Sequence, residues 1–333
     1  MGKEIAIMGV GAWGKNHMRN LHEMGVLHTV MDRSRERLDL LRKEIPDVHC
    51  TTDEADVLGH PDIRAVVVSA PAAHHFEITK KLLASGKDVL VEKPLALHVE
   101  EGEILVELAQ KMDRVLMVGH ILQYHPAVSK LRDVIGRDEL GPIRYIYSNR
   151  LNIGKLRSEE NVLWSFAPHD ISLILMLMNG EDPLVISAYG GAFVNPRVYD
   201  TTLTFFRFRS GVRGHVFVSW LHPFKEQKLV VVGAEKMAVF DDISREKLFI
   251  YPHRIKIEEG RIPVAQKADY YTIPVETREP LREELLHFIQ CVERRESPRT
   301  DAREGLRVLK FLARAEKSLQ NGGKRSEGDG DPS

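Results

Sequence analysis

The chain has 333 residues, with 47 lysines and arginines against 48 aspartates and glutamates, which gives a net charge of −1 at pH 7. This balance offers no electrostatic reason to expect a nucleic acid or an anionic membrane as a partner. No apolar run approaches the roughly 20 residues that cross a bilayer. The length predicts two domains rather than one core.

The first strand pattern lies at residues 4–9 and leaves no room for a signal peptide before it. The only two cysteines are Cys50 and Cys291. Two distant thiols without a secretion signal predict reduced, buried side chains, and we therefore expect a cytoplasmic protein.

Strand and helix patterns alternate over the first third of the chain. The predicted strands cover residues 4–9, 27–32, 65–70, 88–92 and 115–120, and the predicted helices cover residues 14–24, 34–45, 75–86 and 98–112. This alternation is typical of a parallel sheet that is covered by helices. We therefore predict a doubly wound α/β domain over residues 1–122.

The alternation of strands and helices ends after this domain. The predicted elements are a long strand at 143–154, a helix at 168–180, strand-like runs between 184 and 277 with a hairpin turn at Ser210-Gly211, and amphipathic helices at 281–297 and 302–319. Consecutive strands predict a mostly antiparallel sheet. Residues 123–320 are therefore assigned to a second, α+β domain, and the Gly-, Ser- and charge-rich residues 321–333 to a disordered tail.

The sequence "GVGAWG" places Gly9, Gly11 and Gly14 in a G-x-G-x-x-G pattern between a strand and a helix. In a dinucleotide-binding turn the first glycine makes the turn, the second admits the pyrophosphate and the third lets helix and strand pack closely. Asp32 ends the second strand, where a carboxylate that binds the ribose is expected. This acid favours NAD over NADP, although the adjacent Arg33 weakens the preference.

The stretch "DVLVEKPLA" ends a buried strand on Glu92, Lys93 and Pro94, residues that do not suit the interior of a sheet. Ligands of such sheets bind at the carboxyl ends of the strands. His74 and His75 follow another strand at the same edge. The chain has no H-E-x-x-H and no paired C-x-x-C, so no metal site is predicted.

Four further motifs accompany the glycine pattern: "SAPAAHH", "VEKP", "VGHILQYHP" and "HDISLIL". With them the chain resembles the Gfo/Idh/MocA oxidoreductases to about residue 320. The resemblance implies an N-terminal Rossmann domain and a C-terminal domain whose open, mainly antiparallel sheet often forms the subunit contact, hence a homodimer or homotetramer. In that family the lysine of the tripeptide and a histidine at the start of a helix face the nicotinamide. Lys93 and His169 are the matching positions, and a cis Lys93–Pro94 bond is suggested.

The motifs and the resemblance together define the predicted site. The predicted cofactor-binding residues are Gly9, Gly11, Ala12, Trp13, Gly14, Asp32, Arg33, Ser69, Ala70, Pro71, His75, Glu92, Lys93, Pro94, His120 and Gln123. The predicted substrate-binding residues are Lys93, Gln123, Arg150, Asn152, Arg157, Ser165 and His169. The predicted catalytic residues are Lys93 and His169.

The chain departs from the common family pattern at three places. Ser165 stands where many members have an aspartate, Ala70-Pro71-Ala72 replaces Thr-Pro-Asn, and Gln123 replaces an arginine. The change at residue 165 argues against inositol dehydrogenases, which use the aspartate. The stretches at 148–170 and 217–242 look most like the members that oxidise UDP-N-acetylglucosamine or its uronic acid at C3.

Oxidation of a secondary alcohol needs a hydride acceptor and a base near its working pKa. We hypothesise that His169 takes the hydroxyl proton and that Lys93 hydrogen-bonds the same oxygen, although the two roles are interchangeable at this stage. One alternative is a dehydrogenase of a free sugar, polyol or inositol. Another, of a different class, is a non-catalytic regulator that senses NAD.

Overall fold

The computed structural model describes residues 1–154, 156–157, 160–256, 262 and 264–328. The chain divides into two compact units. The first consists of Met1–Tyr124 and Glu279–Leu309, and the second of His125–Arg278 and the described part of Lys310–Ser333. The helix at Pro280–Arg294 was predicted to belong to the second domain. It belongs to the first unit because Leu281, Leu285 and Phe288 are part of that unit's apolar core.

The helices and strands are as follows. The helices are α1 (Gly14–Glu23), α2 (Arg35–Glu44), α3 (Ala55–Leu58), α4 (His75–Ala84), α5 (Val99–Lys111), α6 (Pro126–Gly136), α7 (Val162–Leu177), α8 (Pro280–Arg294) and α9 (Ala302–Gln320), with 3₁₀ turns at Ala72–His74 and Ile121–Tyr124. The strands are β1 (Ile5–Met8), β2 (Leu27–Met31), β3 (His49–Thr51), β4 (Ala65–Val68), β5 (Asp88–Glu92), β6 (Leu116–Gly119), β7 (Ile143–Leu151), β8 (Pro183–Gly191), β9 (Thr201–Phe208), β10 (Arg213–Ser219), β11 (Glu226–Gly233), β12 (Met237–Asp241), β13 (Leu248–Tyr251), β14 (Arg254–Lys256), β15 (Val264–Gln266), β16 (Tyr271–Thr272) and β17 (Ser326–Glu327).

The first unit is built on a six-stranded parallel sheet in the order β3-β2-β1-β4-β5-β6. Alternation along β1 sends Ile5 and Ile7 to one apolar layer and Ala6 and Met8 to the other, so both faces are covered by helices. The strand order reverses direction between β1 and β4, which creates the crevice where ligands of such sheets bind. The predicted doubly wound sheet is confirmed, and β3 and α3 are additions too short to give a periodic pattern.

The second unit contains a nine-stranded sheet in the order β16-β13-β12-β11-β7-β10-β9-β8-β17. Only the β7–β10 pair of this sheet is parallel, and its other pairs are antiparallel. The predicted hairpin is present, because β9 and β10 pair directly and Gly211, with φ of +89°, lies in the turn between them. Helix α7 packs against β7 and β10 on one face of the sheet.

Helix α7 begins at Val162 rather than at the predicted residue 168. Asn161 caps it by accepting a hydrogen bond from the backbone of Trp164 at 3.2 Å. Pro168 lies inside the helix. A proline within a helical pattern is commonly a first-turn residue, which is why the sequence suggested a later start. His169 is therefore an interior residue of the helix, one turn after Ser165.

The tail is more ordered than predicted. Ser326–Glu327 forms β17 at the edge of the large sheet, paired with β8. The Arg314 guanidinium donates to the carbonyl of Ser326 at 2.8 Å and to that of Leu184 at 2.7 Å, which ties this strand to its neighbour. The prediction of disorder is thus wrong for this strand, and residues 329–333 lie outside the described residues.

Both cysteines are buried as free thiols, and burial raises the pKa of Cys291 to about 11. A thiol with so high a pKa is a core side chain rather than a nucleophile. Within the part of the chain that the structure describes, no helix is long and apolar enough to cross a membrane.

Candidate active site

The glycine loop after β1 has the geometry of a dinucleotide-binding turn. Gly9 has φ of +95°, and a Cβ atom there would lie 2.8 Å from the backbone of Ser69 and Ala70. A Cβ on Gly14 would lie 2.1 Å from the carbonyl oxygen of Gly9, so α1 packs tightly on the turn. By contrast, a Cβ on Gly11 would meet no atom within 4 Å. The open space at the second glycine is the place that a pyrophosphate requires.

The N-terminus of α1 follows this open space directly. Its N-cap residue, Trp13, makes no side-chain capping hydrogen bond. The helix dipole favours an anion at this end. The residues present therefore fit the pyrophosphate of NAD, and Gly11, Ala12 and Trp13 are the residues predicted to hold it.

Gly11→Ala is expected to preserve the thermal unfolding midpoint but to weaken NADH binding by about 10-fold or more. The added methyl group meets only open space in the fold but occupies the approach of the phosphates. Differential scanning fluorimetry and NADH fluorescence titration measure the two effects. Gly14→Ala serves as the contrast and should lower both stability and binding. Wild-type NADH affinity in Gly11→Ala would contradict the assignment of the loop.

Asp32 follows β2 and is 5% exposed. Its carboxylate accepts hydrogen bonds from the backbone of Val10 and of Ser34, each at 2.8 Å. Arg37 lies 3.4 Å from both carboxylate oxygens, and Arg33 is exposed beside it. Asp32 therefore fixes the glycine loop against β2 and also carries the negative charge expected beside an unphosphorylated ribose.

His75 joins the loop after β4 to the segment after β5. Its side chain is 1% exposed, with Nδ1 at 2.7 Å from the carbonyl oxygen of Pro94 and Nε2 at 2.9 Å from that of Ala70. Burial lowers the pKa of His75, while the two carbonyl oxygens favour the protonated ring and oppose that shift. His75 thus holds two cofactor-edge loops together and is itself covered by them.

The Glu92-Lys93-Pro94 tripeptide lies at the carboxyl end of β5, and its Lys93–Pro94 bond is cis, as suggested. Trp13 Nε1 donates to Glu92 Oε1 at 2.5 Å, and His17 Nε2 lies 2.7 Å from the same oxygen. The backbone N–H of Lys93 donates to Glu92 Oε2 at 3.2 Å. Glu92 therefore connects the glycine loop, α1 and Lys93, a role that the sequence motif alone did not reveal.

His120 and Gln123 are both 2% exposed. His120 Nδ1 lies 2.6 Å from one oxygen of Glu304, and the Gln123 amide donates to the other at 2.9 Å. Glu304, in the first turn of α9, was not predicted, because it lies 181 residues from Gln123. Its carboxylate therefore fixes the side chains of His120 and Gln123, both predicted to bind the cofactor.

In the second unit, α7 carries Ser165 and His169 one turn apart on the same face of the helix. Ser165 is 3% exposed, whereas His169 is half-buried. The neighbouring residue, Asp170, is 1% exposed and points to the sheet. One side of α7 therefore carries His169, and another side, which carries Asp170, faces the sheet.

The anchor is a buried ion pair between Asp170 and Arg150 of β7. Arg150 Nε donates to Asp170 at 2.7 Å and Nη2 donates at 3.1 Å, and Ser148 adds a hydrogen bond of 2.6 Å. The Gln227 amide, oriented to satisfy its neighbours, accepts from Arg150 Nη1 at 3.2 Å. Each nitrogen of the guanidinium thus has a protein partner, and these three bonds fix the side chain against α7 and β11.

The other predicted substrate residues follow β7. Asn152 is half-buried and its backbone N–H donates to the carbonyl of Ser219 at 3.1 Å. Arg157 is exposed and forms an ion pair with Glu160. Asp170 was not among the predicted site residues. Two features of the sequence could have pointed to it: it is adjacent to His169, and the alternation along β7 turns Ser148 and Arg150 to the same face.

One group of potential metal ligands occurs among the described residues. His28, His60 and Asp62 have ligand atoms within 4.8 Å of one another. His28 lies on β2 and the other two residues precede β4, at the amino ends of these strands. This edge is opposite to the one that carries Asp32 and Lys93.

The parallel sheet, the glycine loop at its reversal point and the acid after β2 define an NAD-binding oxidoreductase. Residues 3–120 match the oxidoreductase family with an NAD-binding Rossmann fold, and residues 128–239 match the Gfo/Idh/MocA C-terminal domain. A protein of known structure from Magnetospirillum magnetotacticum is 30% identical, with a TM-score of 0.79 over 93% of this chain and 98% of that one. The chain belongs to the Gfo/Idh/MocA family, and the predicted family and cofactor are confirmed.

Two curated relatives have stated activities. UDP-N-acetylglucosamine 3-dehydrogenase of Acidithiobacillus ferrooxidans is 26% identical over 309 residues, which cover 91% of this chain and 93% of that enzyme. scyllo-Inositol 2-dehydrogenase (NAD(+)) of Bacillus subtilis is 25% identical over 334 residues, which cover 95% and 94% of the two chains. Both similarities span the two units.

Proposed function

We propose that this protein oxidises the C3 hydroxyl of a UDP-N-acetylhexosamine, or of its uronic acid, to the 3-keto nucleotide sugar. The alcohol carbon gives a hydride to NAD and the hydroxyl gives a proton to the protein, so that ketone and NADH are formed together. NAD supplies the hydride acceptor. The protein must supply a base, a group that stabilises the oxygen, and contacts that orient the sugar.

The observation that carries the choice of substrate is Ser165. This buried hydroxyl lies one turn before His169, where the inositol dehydrogenases of the family have the aspartate that they use. A serine cannot accept a strong, charge-assisted hydrogen bond from a polyol as a carboxylate does. The similarity to the Acidithiobacillus enzyme along 91% of this chain supports the same choice.

In the proposed reaction His169 accepts the hydroxyl proton, since a neutral imidazole nitrogen is a suitable general base. Lys93 donates a hydrogen bond to the same oxygen and stabilises its developing negative charge. The opposite assignment of the two roles stays open. Glu92 contributes by holding the backbone of Lys93 in place.

Asn152 and Arg157 are proposed to bind the nucleotide part of the substrate, because an amide and a guanidinium suit a uracil and a diphosphate. For Arg150 we now propose an indirect role. Three of its N–H groups bind Asp170 and Gln227, and through them it orients α7 and thereby His169. Assembly into a dimer or tetramer through the large sheet stays a prediction.

A second candidate is an inositol or polyol dehydrogenase, which the 25% identity to the Bacillus subtilis enzyme favours. The experiment that separates the candidates compares NADH formation with UDP-N-acetylglucosamine, its uronic acid, myo-inositol, scyllo-inositol and glucose. An aminotransferase with an amino donor removes any ketone, so that an unfavourable equilibrium does not hide turnover. We expect kcat/KM for a UDP-sugar to exceed that for any inositol by about 100-fold or more.

The position of oxidation is tested with UDP-N-acetylglucosamine deuterated at C3. Deuterium should appear in the NADH, and the rate of hydride transfer should fall relative to the protiated sugar. Turnover of inositols but not of UDP-sugars would replace the proposal by the second candidate. Tight NADH binding without turnover of any alcohol would favour the non-catalytic regulator instead.

A further inference from the structure

The most deeply buried acid in the first unit is Glu284 on α8. It is 0% exposed, and neither of its carboxylate oxygens makes a hydrogen bond to the described residues. A buried, ionised carboxylate without partners is strongly unfavourable. Glu284 is therefore expected to be a neutral carboxylic acid in the folded protein.

Polar atoms on the facing helix are unsatisfied as well. Helix α8 packs against α1, and the amide of Asn20 donates to Glu279 at 3.3 Å across this contact. Asn20 Oδ1 and His17 Nδ1 are buried, and neither has a hydrogen-bond partner in the described parts of the chain. When His17 donates through Nε2 to Glu92, its Nδ1 is an acceptor. Asn20 Oδ1 and His17 Nδ1 are therefore two buried acceptors that lack a hydrogen-bond donor.

The other charged and titratable groups around Glu284 come from each packed element. The charge of Glu92, on β5, acts on Glu284, and Glu284 acts in turn on Tyr124 of the Ile121–Tyr124 turn. In the contact of α1 with α8, His17 binds Glu92, and Glu279 is a further acid. Burial, and then the negative charge of Glu92, hold the pKa of Glu284 well above its usual range. For Glu92 itself burial raises the pKa, but the hydrogen bonds that it accepts, led by that of His17, lower the pKa overall.

The two carboxyl groups are thus in contrasting environments. Glu92 accepts three hydrogen bonds and is packed closely, since a Cβ on Gly119 would lie 3.2 Å from its carboxylate. Glu284 has no such donors. Where two carboxyl groups interact at one site, they share one proton, and the group without donors keeps it.

We propose that Glu284 is a positioning residue for NAD binding, which stays protonated so that no second buried negative charge acts on Glu92. Its O–H group supplies the missing donor, directly or through a buried water. Glu92 is then free to hold Trp13 of the glycine loop and the backbone of Lys93. Ionisation of Glu284 would repel Glu92 from these partners and weaken NAD binding.

The test combines infrared spectroscopy with NADH titration of the full-length protein. At about pH 8, where ordinary carboxyl groups are ionised, the wild type and the neighbouring-residue control Glu283→Gln should show the absorption of a protonated carboxyl, and Glu284→Gln should lack it. NADH affinity of Glu284→Gln should equal that of the wild type at neutral pH. On the alkaline side, wild-type affinity should fall by about 10-fold, whereas the neutral amide should keep affinity constant.

Two results would overturn the inference: absence of the carboxyl absorption in the wild type, or the same alkaline loss of NADH affinity in the wild type and in Glu284→Gln. The infrared measurement on the wild type stands even where the glutamine variant folds poorly. Since neither readout uses an alcohol substrate, failure of the proposed sugar specificity leaves this test unaffected.

Discussion

Replacement of Lys93 by alanine is expected to lower kcat by about 10²- to 10⁴-fold, while the dissociation constant for NADH changes little. In the proposed reaction Lys93 acts on the reacting oxygen, and its loss removes a hydrogen bond that strengthens as charge develops there. The residues predicted to bind the cofactor include the glycine loop and Asp32, which this variant keeps. Stopped-flow measurement of NADH formation, together with NADH titration, separates the two effects.

The matched control is Lys111→Ala, which removes an exposed lysine from the end of α5 in the same unit. It should leave both quantities unchanged. Full activity of Lys93→Ala would remove Lys93 from the mechanism altogether. If Lys93→Ala instead lost NADH binding in proportion to its activity, the lysine would serve the cofactor rather than the chemistry.

The pH dependence of the wild type and of His169→Ala decides which residue takes the proton. With His169 as base, the rate of alcohol oxidation falls on the acid side of the profile, because protonated imidazole cannot accept the proton. That acid limb should vanish in His169→Ala. Persistence of the limb in this variant would transfer the role of base to Lys93.

Replacement of Asp170 by alanine is expected to lower the free energy of unfolding by about 3–5 kcal/mol. Asp170 is 1% exposed, and its removal leaves the charge of Arg150, itself 7% exposed, without a counterion. The double variant Arg150→Met/Asp170→Ala should recover part of this loss, since it removes the buried charge as well. Urea unfolding followed by tryptophan fluorescence measures these differences, because Trp164 and Trp220 lie in the same unit.

The surface ion pair between Arg137 and Glu139 provides the control for that series. Glu139→Ala removes an acid of similar pairing distance from a solvated site and should change stability by about 1 kcal/mol or less. A loss in Asp170→Ala no larger than that in Glu139→Ala would show that the buried pair does not anchor α7.

Much of the first unit was readable from the sequence because its determinants are local. The β1 turn depends on three glycines within six residues, and its strands appear as continuous apolar runs. The start of α7 was predicted wrongly because Pro168 is a local signal that packing overrides. The edge strand at Ser326–Glu327 was missed because it forms by pairing with β8 and by a hydrogen bond from Arg314. No local sequence pattern reports either contact.

The sequence by itself determined the class of this protein: the Rossmann sheet, the NAD-binding turn and the tripeptide that carries Lys93. The sheet and the turn depend on residues that are close in the chain, so periodicity and spacing report them directly. The tripeptide was recognised by its resemblance to the family motif. Only the tertiary structure decided which polar groups are paired. In it Arg150 pairs with Asp170, and Glu304 binds both His120 and Gln123. Glu284 is buried in the unit that also contains Glu92. Such pairings bring together residues 20 to 184 positions apart, and burial alone gives them their energetic weight.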